Sequence, residues 1–163
     1  MRNNEKERAE NMMIVDLVRN DLARSCKAGT VKVEEIFGIY PFEHLHQMIS
    51  TVTGKIKDEV HFIDAIKNAF PMGSMTGAPK IMAMKLIENY EKSKRGLFSG
   101  AVGYFTPDQN FDFNVVIRSI FYNHQNQQLS FKAGSAITYD SIPEKEYEEC
   151  MLKVKAIKKV LEA

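Results

Sequence analysis

The sequence lacks the features of cysteine-rich, secreted or membrane-spanning proteins. It has only two cysteines, Cys26 and Cys150, and they show no metal-ligand spacing. No signal-like hydrophobic segment is present, and no apolar run approaches the roughly 20 residues that span a bilayer. We therefore expect reduced thiols, a cytoplasmic location and no membrane association.

An excess of charge of one sign is also missing. Lys and Arg together number 22, and Asp and Glu together number 21. A nearly neutral chain has no basic field to attract nucleic acid or an anionic membrane, so we expect neither as a partner. Its 163 residues are 44% apolar and 26% charged, which is typical of one globular domain with a core of its own.

Hydrophobic periodicity predicts mixed secondary structure with the order α, ββ, αα, βββ, α. Consecutive strands without intervening helices favour antiparallel pairing, so we predict an α+β fold and not a doubly wound parallel sheet. The predicted helices cover residues 5–25, 61–70, 80–91 and 144 to the C-terminus, and the predicted strands cover 30–40, 45–57, 97–105, 111–122 and 129–138.

Residues 69–80, AFPMGSMTGAPK, form a loop with two glycines directly before a predicted helix. Glycine-rich turns in this position often bind phosphate. However, Gly73 and Gly77 are separated by three residues and the lysine follows Ala-Pro, so the P-loop spacing is absent. The loop is equally consistent with a plain turn in which Thr76 caps the helix and Pro79 lies near its first position.

Two pairs of carboxylates lie at the two ends of the chain. Glu7 and Glu10 in the first helix, and Glu146 and Glu149 in the last, have i, i+3 spacing and border apolar faces. Each pair alone is explained by the helix macrodipole, and Glu149 also has an i, i+4 partner in Lys153. If the two helices meet, the four carboxylates could instead enclose a hard cation, for which oxygen ligands favour Mg²⁺.

Three further features could bind an anionic ligand. Arg118 lies in an apolar segment that predicts a strand, where a guanidinium needs a partner, and a structural salt bridge explains it equally well. Tyr104 ends another predicted strand, and its ring would more commonly belong to the core. The small residues at 133–136 allow backbone amides to approach a carboxylate closely, although a simple bulge gives the same pattern.

The order of these motifs resembles that of the chorismate-binding enzymes. The aminodeoxychorismate synthase branch is the most similar, because RAEN and STV follow its pattern. The resemblance implies that residues 1–163 are the C-terminal portion of a four-layer α/β/β/α fold with orthogonally packed antiparallel sheets. The motifs are ERAENMMIVDLVRNDLAR, STVTG, FPMGSMTGAPK, GAVGYF, VVIRS, AGSAITYDS and PEKEYEECMLK.

The resemblance also implies the site. Glu10 and Glu149 match direct Mg²⁺ ligands, and Glu7 and Glu146 match ligands that act through water. The metal would hold the ring carboxylate of chorismate. The implied substrate-binding residues are Thr76 and Gly77 beside the ring, Tyr104 and Arg118 at the enolpyruvyl carboxylate, the amides of Gly134, Ser135 and Ala136 at a carboxylate, and Lys153 near the ring carboxylate.

For activity, the resemblance implies amination of chorismate at C4 to 4-amino-4-deoxychorismate, in the synthesis of the folate precursor para-aminobenzoate. Ammonia would come from a glutaminase subunit. Two alternatives stay open. The chain could derive from an anthranilate synthase component I, or it could be a non-catalytic module that binds a glutaminase.

The chain departs from the family pattern in two respects. Gln47 stands where most relatives have a histidine, and glutamine cannot transfer a proton near neutral pH. In addition, the lysine nucleophile and the general acid of the aminodeoxychorismate branch belong to a region upstream of the 163 residues. We therefore expect that this chain is a fragment, that it is inactive alone, and that its unpaired apolar faces cause self-association.

Overall fold

The computed structural model describes residues 5–42 and 46–162. The chain forms two compact units, Met1–Lys92 and Ser93–Ala163. Within the described residues, no helix is both long and apolar enough to cross a membrane. The prediction that residues 1–163 are one portion of a larger domain stays a prediction.

In the first unit, residues 5–42 and 46–92 form three α-helices and one two-stranded antiparallel sheet. The predicted helices are confirmed, and the predicted strands are confirmed with small shifts at their ends. The predicted start of the second strand, at Leu45, lies outside the described residues. The elements are α1 (Glu5–Ser25), β1 (Lys32–Pro41), β2 (His46–Thr53), α2 (Phe62–Ala69), a 3₁₀ turn (Gly73–Met75) and α3 (Lys80–Tyr90).

Helix α1 is the central element of this unit. Its first turn is acidic and its last turn is basic, as the helix macrodipole favours. It contacts both strands, α2 and the 3₁₀ turn, and it buries Val15, Asp21 and Ser25. Two of these three residues are polar, so the buried face of α1 depends on hydrogen bonds and ion pairs as well as on apolar contact.

The β1–β2 ladder is irregular near its middle. Lys32 pairs with Thr53 at one end and Pro41 with His46 at the other, with shifts in register between Val33 and Gly38. Phe37 has φ 57°, a left-handed conformation that is uncommon for a residue with a side chain. A bulge of this kind bends the strand and redirects its side chains.

The second unit has two separate two-stranded antiparallel sheets and one long helix. Sheet β3–β4 pairs Ala101 with Val115 through to Phe105 with Phe111, and β5–β6 is a three-residue hairpin. The elements are β3 (Ala101–Phe105), β4 (Phe111–Val115), β5 (Phe121–Asn123), β6 (Gln128–Ser130) and α4 (Pro143–Leu161).

The predicted strand over residues 111–122 is broken, and the prediction that Arg118 lies in a strand is therefore wrong. The amide of Ile117 donates to the carbonyl of Val115 at 3.0 Å, and this tight turn leaves Arg118 with φ 51°. Strand β4 accordingly ends at Val115, and the next strand, β5, begins only at Phe121. The predicted strand over 129–138 likewise ends at Ser130, so residues 134–136 lie outside any strand.

Burial in both units is sparse. The buried apolar side chains are Val15, Cys26 and Met48 in the first unit and Val154 and Ile157 in the second. Helix α3 buries no residue, and Ile81 is 72% exposed, so the prediction that α3 directs its apolar residues toward a core is wrong. The physical reason is that its apolar side chains are distributed around the helix and do not form one stripe.

Candidate functional site

The loop between α2 and α3 contains the predicted ring contacts Thr76 and Gly77. Thr76 Oγ1 donates to the carbonyls of Met72 (3.1 Å) and Gly73 (3.3 Å). Thr76 therefore closes the 3₁₀ turn, and Pro79 is the N-cap residue of α3. Of the two interpretations left open for this loop, the one in which Thr76 caps α3 does not hold, because its hydroxyl bonds the preceding 3₁₀ turn.

Close packing explains the two glycines of this loop. A Cβ atom on Gly73 would lie 3.0 Å from the Cβ atom of Leu17 in α1. Gly77 has φ 147°, a conformation that residues with side chains rarely adopt, and a Cβ there would lie 3.2 Å from the Cβ of Ala83. The glycines thus let the loop pack against α1 and fold back on α3.

The first turns of α1 contain the predicted metal ligands Glu7 and Glu10, and both side chains are half-buried. Hydrogen bonds join this part of α1 to the β1–β2 sheet. Ser50 Oγ donates to Asn11 Oδ1 at 2.5 Å and accepts from the amide of Phe37 at 3.0 Å. The guanidinium carbon of Arg8 lies 4.8 Å from the centre of the Phe37 ring, a cation–π contact. RAEN and STV, the motifs that favoured one branch of the family, are therefore in contact.

Gln47 is half-buried on β2, opposite Tyr40 on β1. The Tyr40 hydroxyl donates to Glu35 Oε2 at 2.6 Å. This hydrogen bond to a carboxylate raises the pKa of Tyr40 above its ordinary value, with smaller contributions from desolvation and from the charge of Glu35. Gln47 itself has no titrating group, so it cannot exchange a proton with a ligand.

In the second unit, predicted site residues of the turn at 134–136 contact predicted site residues of helix α4. Lys153 Nζ pairs with Glu149 Oε1 at 2.6 Å and donates to the carbonyl of Gly134 at 3.0 Å. Ser135 Oγ donates to Glu146 Oε2, and Glu146 is only 4% exposed. We call these five residues the α4 cluster. It unites a carboxylate pair, an ammonium group and the backbone turn that was predicted to bind a carboxylate.

A cavity lies beside the α4 cluster. It is an open depression with a volume of about 290 Å³, at the lower end of the range of small-molecule sites. Ala136, the third residue of the predicted backbone turn, accepts a hydrogen bond from Ser141 Oγ at 3.5 Å. The cavity is lined by Ser135, Ile137, Ser141, Pro143, Glu146, Tyr147 and Cys150.

Tyr104 and Arg118 belong to other parts of the second unit. Tyr104 is 61% exposed on β3, where it pairs with Asp112 on β4. Arg118 is exposed in the segment that follows β4. Their predicted joint role at one carboxylate stays a prediction.

The four predicted metal ligands are divided equally between the two units. Within neither unit do three or more His, Cys, Asp or Glu side chains of residues 5–42 and 46–162 gather into a metal-binding group. A four-carboxylate site would need both pairs, so it stays a prediction. The donor chemistry fits Mg²⁺, because every predicted ligand supplies carboxylate oxygen.

Asp21 and Lys80 had no predicted role. Among the ion pairs found in the described residues, theirs is the most buried. Lys80 Nζ lies 2.5 Å from Asp21 Oδ2. A signal was present in the sequence, because Asp21 follows Leu17 by four residues and Val18 by three and so shares their apolar face. A carboxylate on such a face requires a partner, although periodicity cannot identify that partner.

Comparison with known proteins gives a consistent result. A family model described as chorismate binding enzyme matches residues 1–159. The chain is 45% identical to a probable chloroplastic aminodeoxychorismate synthase from Oryza sativa subsp. japonica, over 97% of this chain and 17% of that protein. It is 44% identical to anthranilate synthase component 1 from Saccharolobus solfataricus, over 96% of this chain and 37% of that protein.

Among solved structures, anthranilate synthase component I from Streptococcus pneumoniae TIGR4 matches with a TM-score of 0.84 and 37% identity, over 94% of this chain and 35% of that chain. This likeness confirms the predicted α+β fold class. The chain spans well under half the length of each of these proteins. Because the family model matches nearly every residue, the chain belongs to the chorismate binding enzyme family.

Proposed function

We propose that this chain forms the Mg²⁺-binding and carboxylate-binding part of an enzyme that aminates chorismate at C4. The observation that carries the proposal is the α4 cluster, because it joins two carboxylates, an ammonium group and a backbone turn within one unit. In this proposal, Glu10 and Glu149 contact the metal directly, and Glu7 and Glu146 act through water. The product is 4-amino-4-deoxychorismate, a precursor in folate synthesis.

The α4 cluster supports the binding of a carboxylate. The Lys153 ammonium is held between Glu149 and the Gly134 carbonyl, so its charge is fixed near the turn at residues 134–136. Backbone amides and a fixed ammonium can stabilise an anion without reorganisation. When bound, Mg²⁺ supplies further positive charge that stabilises a ligand carboxylate. The buried Glu146 is oriented by Ser135 and would hold a metal-bound water in place.

Calorimetric titration of the folded chain with chorismate in the presence of Mg²⁺ tests the metal assignment. We expect Glu10→Ala and Glu149→Ala each to weaken binding about tenfold or more, because a lost ligand contact removes charge from the site. Glu148→Ala is the matched control, since Glu148 is exposed on the same helix. Equal affinity of all variants, with unchanged circular dichroism, would contradict the assignment.

The chain alone should bind chorismate without converting it. The resemblance assigns the nucleophile and the general acid to a region outside these 163 residues, and Gln47 cannot replace an acid–base group. We propose a glutaminase subunit as the source of ammonia. Retention of a purified glutaminase on the immobilised chain is the direct test, and failure to retain it would contradict this partner.

Formation of anthranilate is the second candidate. The anthranilate synthase from Saccharolobus solfataricus is as similar to the chain, at 44% identity, as the aminodeoxychorismate synthase at 45%. The product that the enzyme containing this chain forms from chorismate and ammonia with Mg²⁺ distinguishes the two activities. We expect 4-amino-4-deoxychorismate by chromatography, and anthranilate would contradict the first proposal.

A further inference from the structure

The loop between α2 and α3 is closed by one ammonium group. Residues 70–79 connect the end of α2 at Ala69 with the start of α3 at Lys80. Lys80 Nζ reaches back to the carbonyl of Ala69 at 3.4 Å. The side chain of the residue that follows the loop therefore contacts the residue that precedes it, and ten residues are held between these two points.

The same ammonium anchors the loop to α1. Lys80 Nζ lies 2.5 Å from Asp21 Oδ2, and the two side chains are 15% and 6% exposed. Solvent screens such a pair little, and each charge depends on the other for compensation. If the pair contributed only stability, two apolar side chains could replace it.

A second contact between loop and α1 lies one helical turn away. Gly73 packs against Leu17 so closely that a Cβ atom on the glycine would lie 3.0 Å from the Cβ atom of Leu17. Leu17 and Asp21 are four residues apart and so lie on one face of α1. Two anchors on one helix face fix the orientation of the loop and not only its distance from α1.

We propose that Lys80 is a positioning residue that, together with Asp21, sets the conformation of residues 70–79 and so the positions of Thr76 and Gly77. The conformational part of this inference stands on the contacts above. The part that concerns chorismate rests on the proposed function, in which Thr76 and Gly77 line the ring pocket.

A comparison of single and double variants separates positioning from stability. Lys80→Met leaves Asp21 buried without a cation, so it should lower the midpoint of urea unfolding. Asp21→Leu combined with Lys80→Met removes both charges and should restore much of that midpoint. Both variants lack the link between Lys80 and Ala69. Lys85→Met is the control, because Lys85 is exposed on the same helix.

Hydrogen exchange read by mass spectrometry gives the deciding measurement. In the double variant, we expect peptides covering residues 70–79 to exchange at least about tenfold faster than in the wild type, while α1 peptides keep wild-type protection. Wild-type exchange of the loop in a double variant with restored stability would overturn the proposal. The proposal would also be overturned if the loop and α1 lost protection from exchange to the same extent, since Lys80 would then only stabilise the unit as a whole.

Titration with chorismate and Mg²⁺ extends the test to the ligand. We expect the double variant to bind at least about tenfold more weakly than the Lys85→Met control. If the wild type binds no chorismate, the proposed function fails, and the exchange experiment still decides the positioning role. If the wild type binds and the double variant binds equally well, the ligand part of this inference is overturned while the proposed function stands.

Discussion

At the scale of single residues, two hydroxyl groups connect the predicted ligands to the rest of the fold. Ser135 donates to the buried Glu146 in the second unit. In the first unit, Ser50 lies between Asn11 and the left-handed Phe37. In both cases a short side chain satisfies a group that would otherwise be costly to bury. Ser135 was predictable from its turn of small residues, whereas Ser50 stood out in the sequence only as part of a family motif.

We predict that Ser50→Ala destabilises the first unit by about 1–3 kcal/mol, because it removes a donor from Asn11 and an acceptor from the Phe37 amide in one step. Urea unfolding measures the loss. Thr53→Ala is a suitable comparison, since Thr53 Oγ1 bonds only the exposed Glu34 at 3.0 Å among the contacts recorded for it. An equal effect of the two substitutions would contradict a special role for Ser50.

At the scale of elements, the helices were predictable and the strands of the second unit were only partly so. The bounds predicted for α1 agree with Glu5–Ser25, because apolar residues recur there at helical spacing. The strand pattern over residues 111–122 continued past the true end of β4, since apolar alternation does not reveal a left-handed residue such as Arg118. Similarly, periodicity predicted that the apolar residues of α3 face a core, whereas none of them is buried.

Helix α4 and the turn at residues 134–136 are joined by Lys153, and this link gives an element-scale prediction. Lys153→Met should change stability by no more than about 1 kcal/mol, because the pair with Glu149 is partly exposed to solvent. It should nevertheless weaken the binding of chorismate about tenfold, as one charged contact to a carboxylate is lost.

Parallel thermal melts and calorimetric titrations distinguish these two effects of Lys153→Met. Lys155→Met provides the control, since Lys155 is exposed on the same helix. A large loss of stability with unchanged affinity would assign Lys153 to the fold and not to the ligand.

At the scale of the whole molecule, the main property is the amount of exposed apolar surface. Only five apolar side chains are buried among the described residues, while Leu97, Ile137 and Leu152 are each about seven-tenths exposed or more. Apolar side chains that stay exposed to this extent favour association when they meet those of another molecule. The burial pattern therefore supports the prediction of self-association.

We predict that the chain self-associates with increasing concentration. Light scattering coupled to size exclusion should give a mass above that of the 18.6 kDa monomer, and Ile81→Glu should lower it, because a charge on the exposed α3 opposes apolar contact. Lys85→Glu, on the same helix, controls for added negative charge. A monomeric mass at every concentration would contradict this prediction.

The family, the fold class and the positions of the helices could be read from the sequence, because these depend on local periodicity and on ordered motifs. The sequence also identified the members of the α4 cluster, although not their pairing. The folded chain was needed to show that Lys80 meets Asp21, that Ser50 bridges Asn11 and Phe37, and that the strand predicted over residues 111–122 is broken. Those outcomes depend on contacts between residues distant in sequence and on single backbone angles, which a pattern of residue types does not encode.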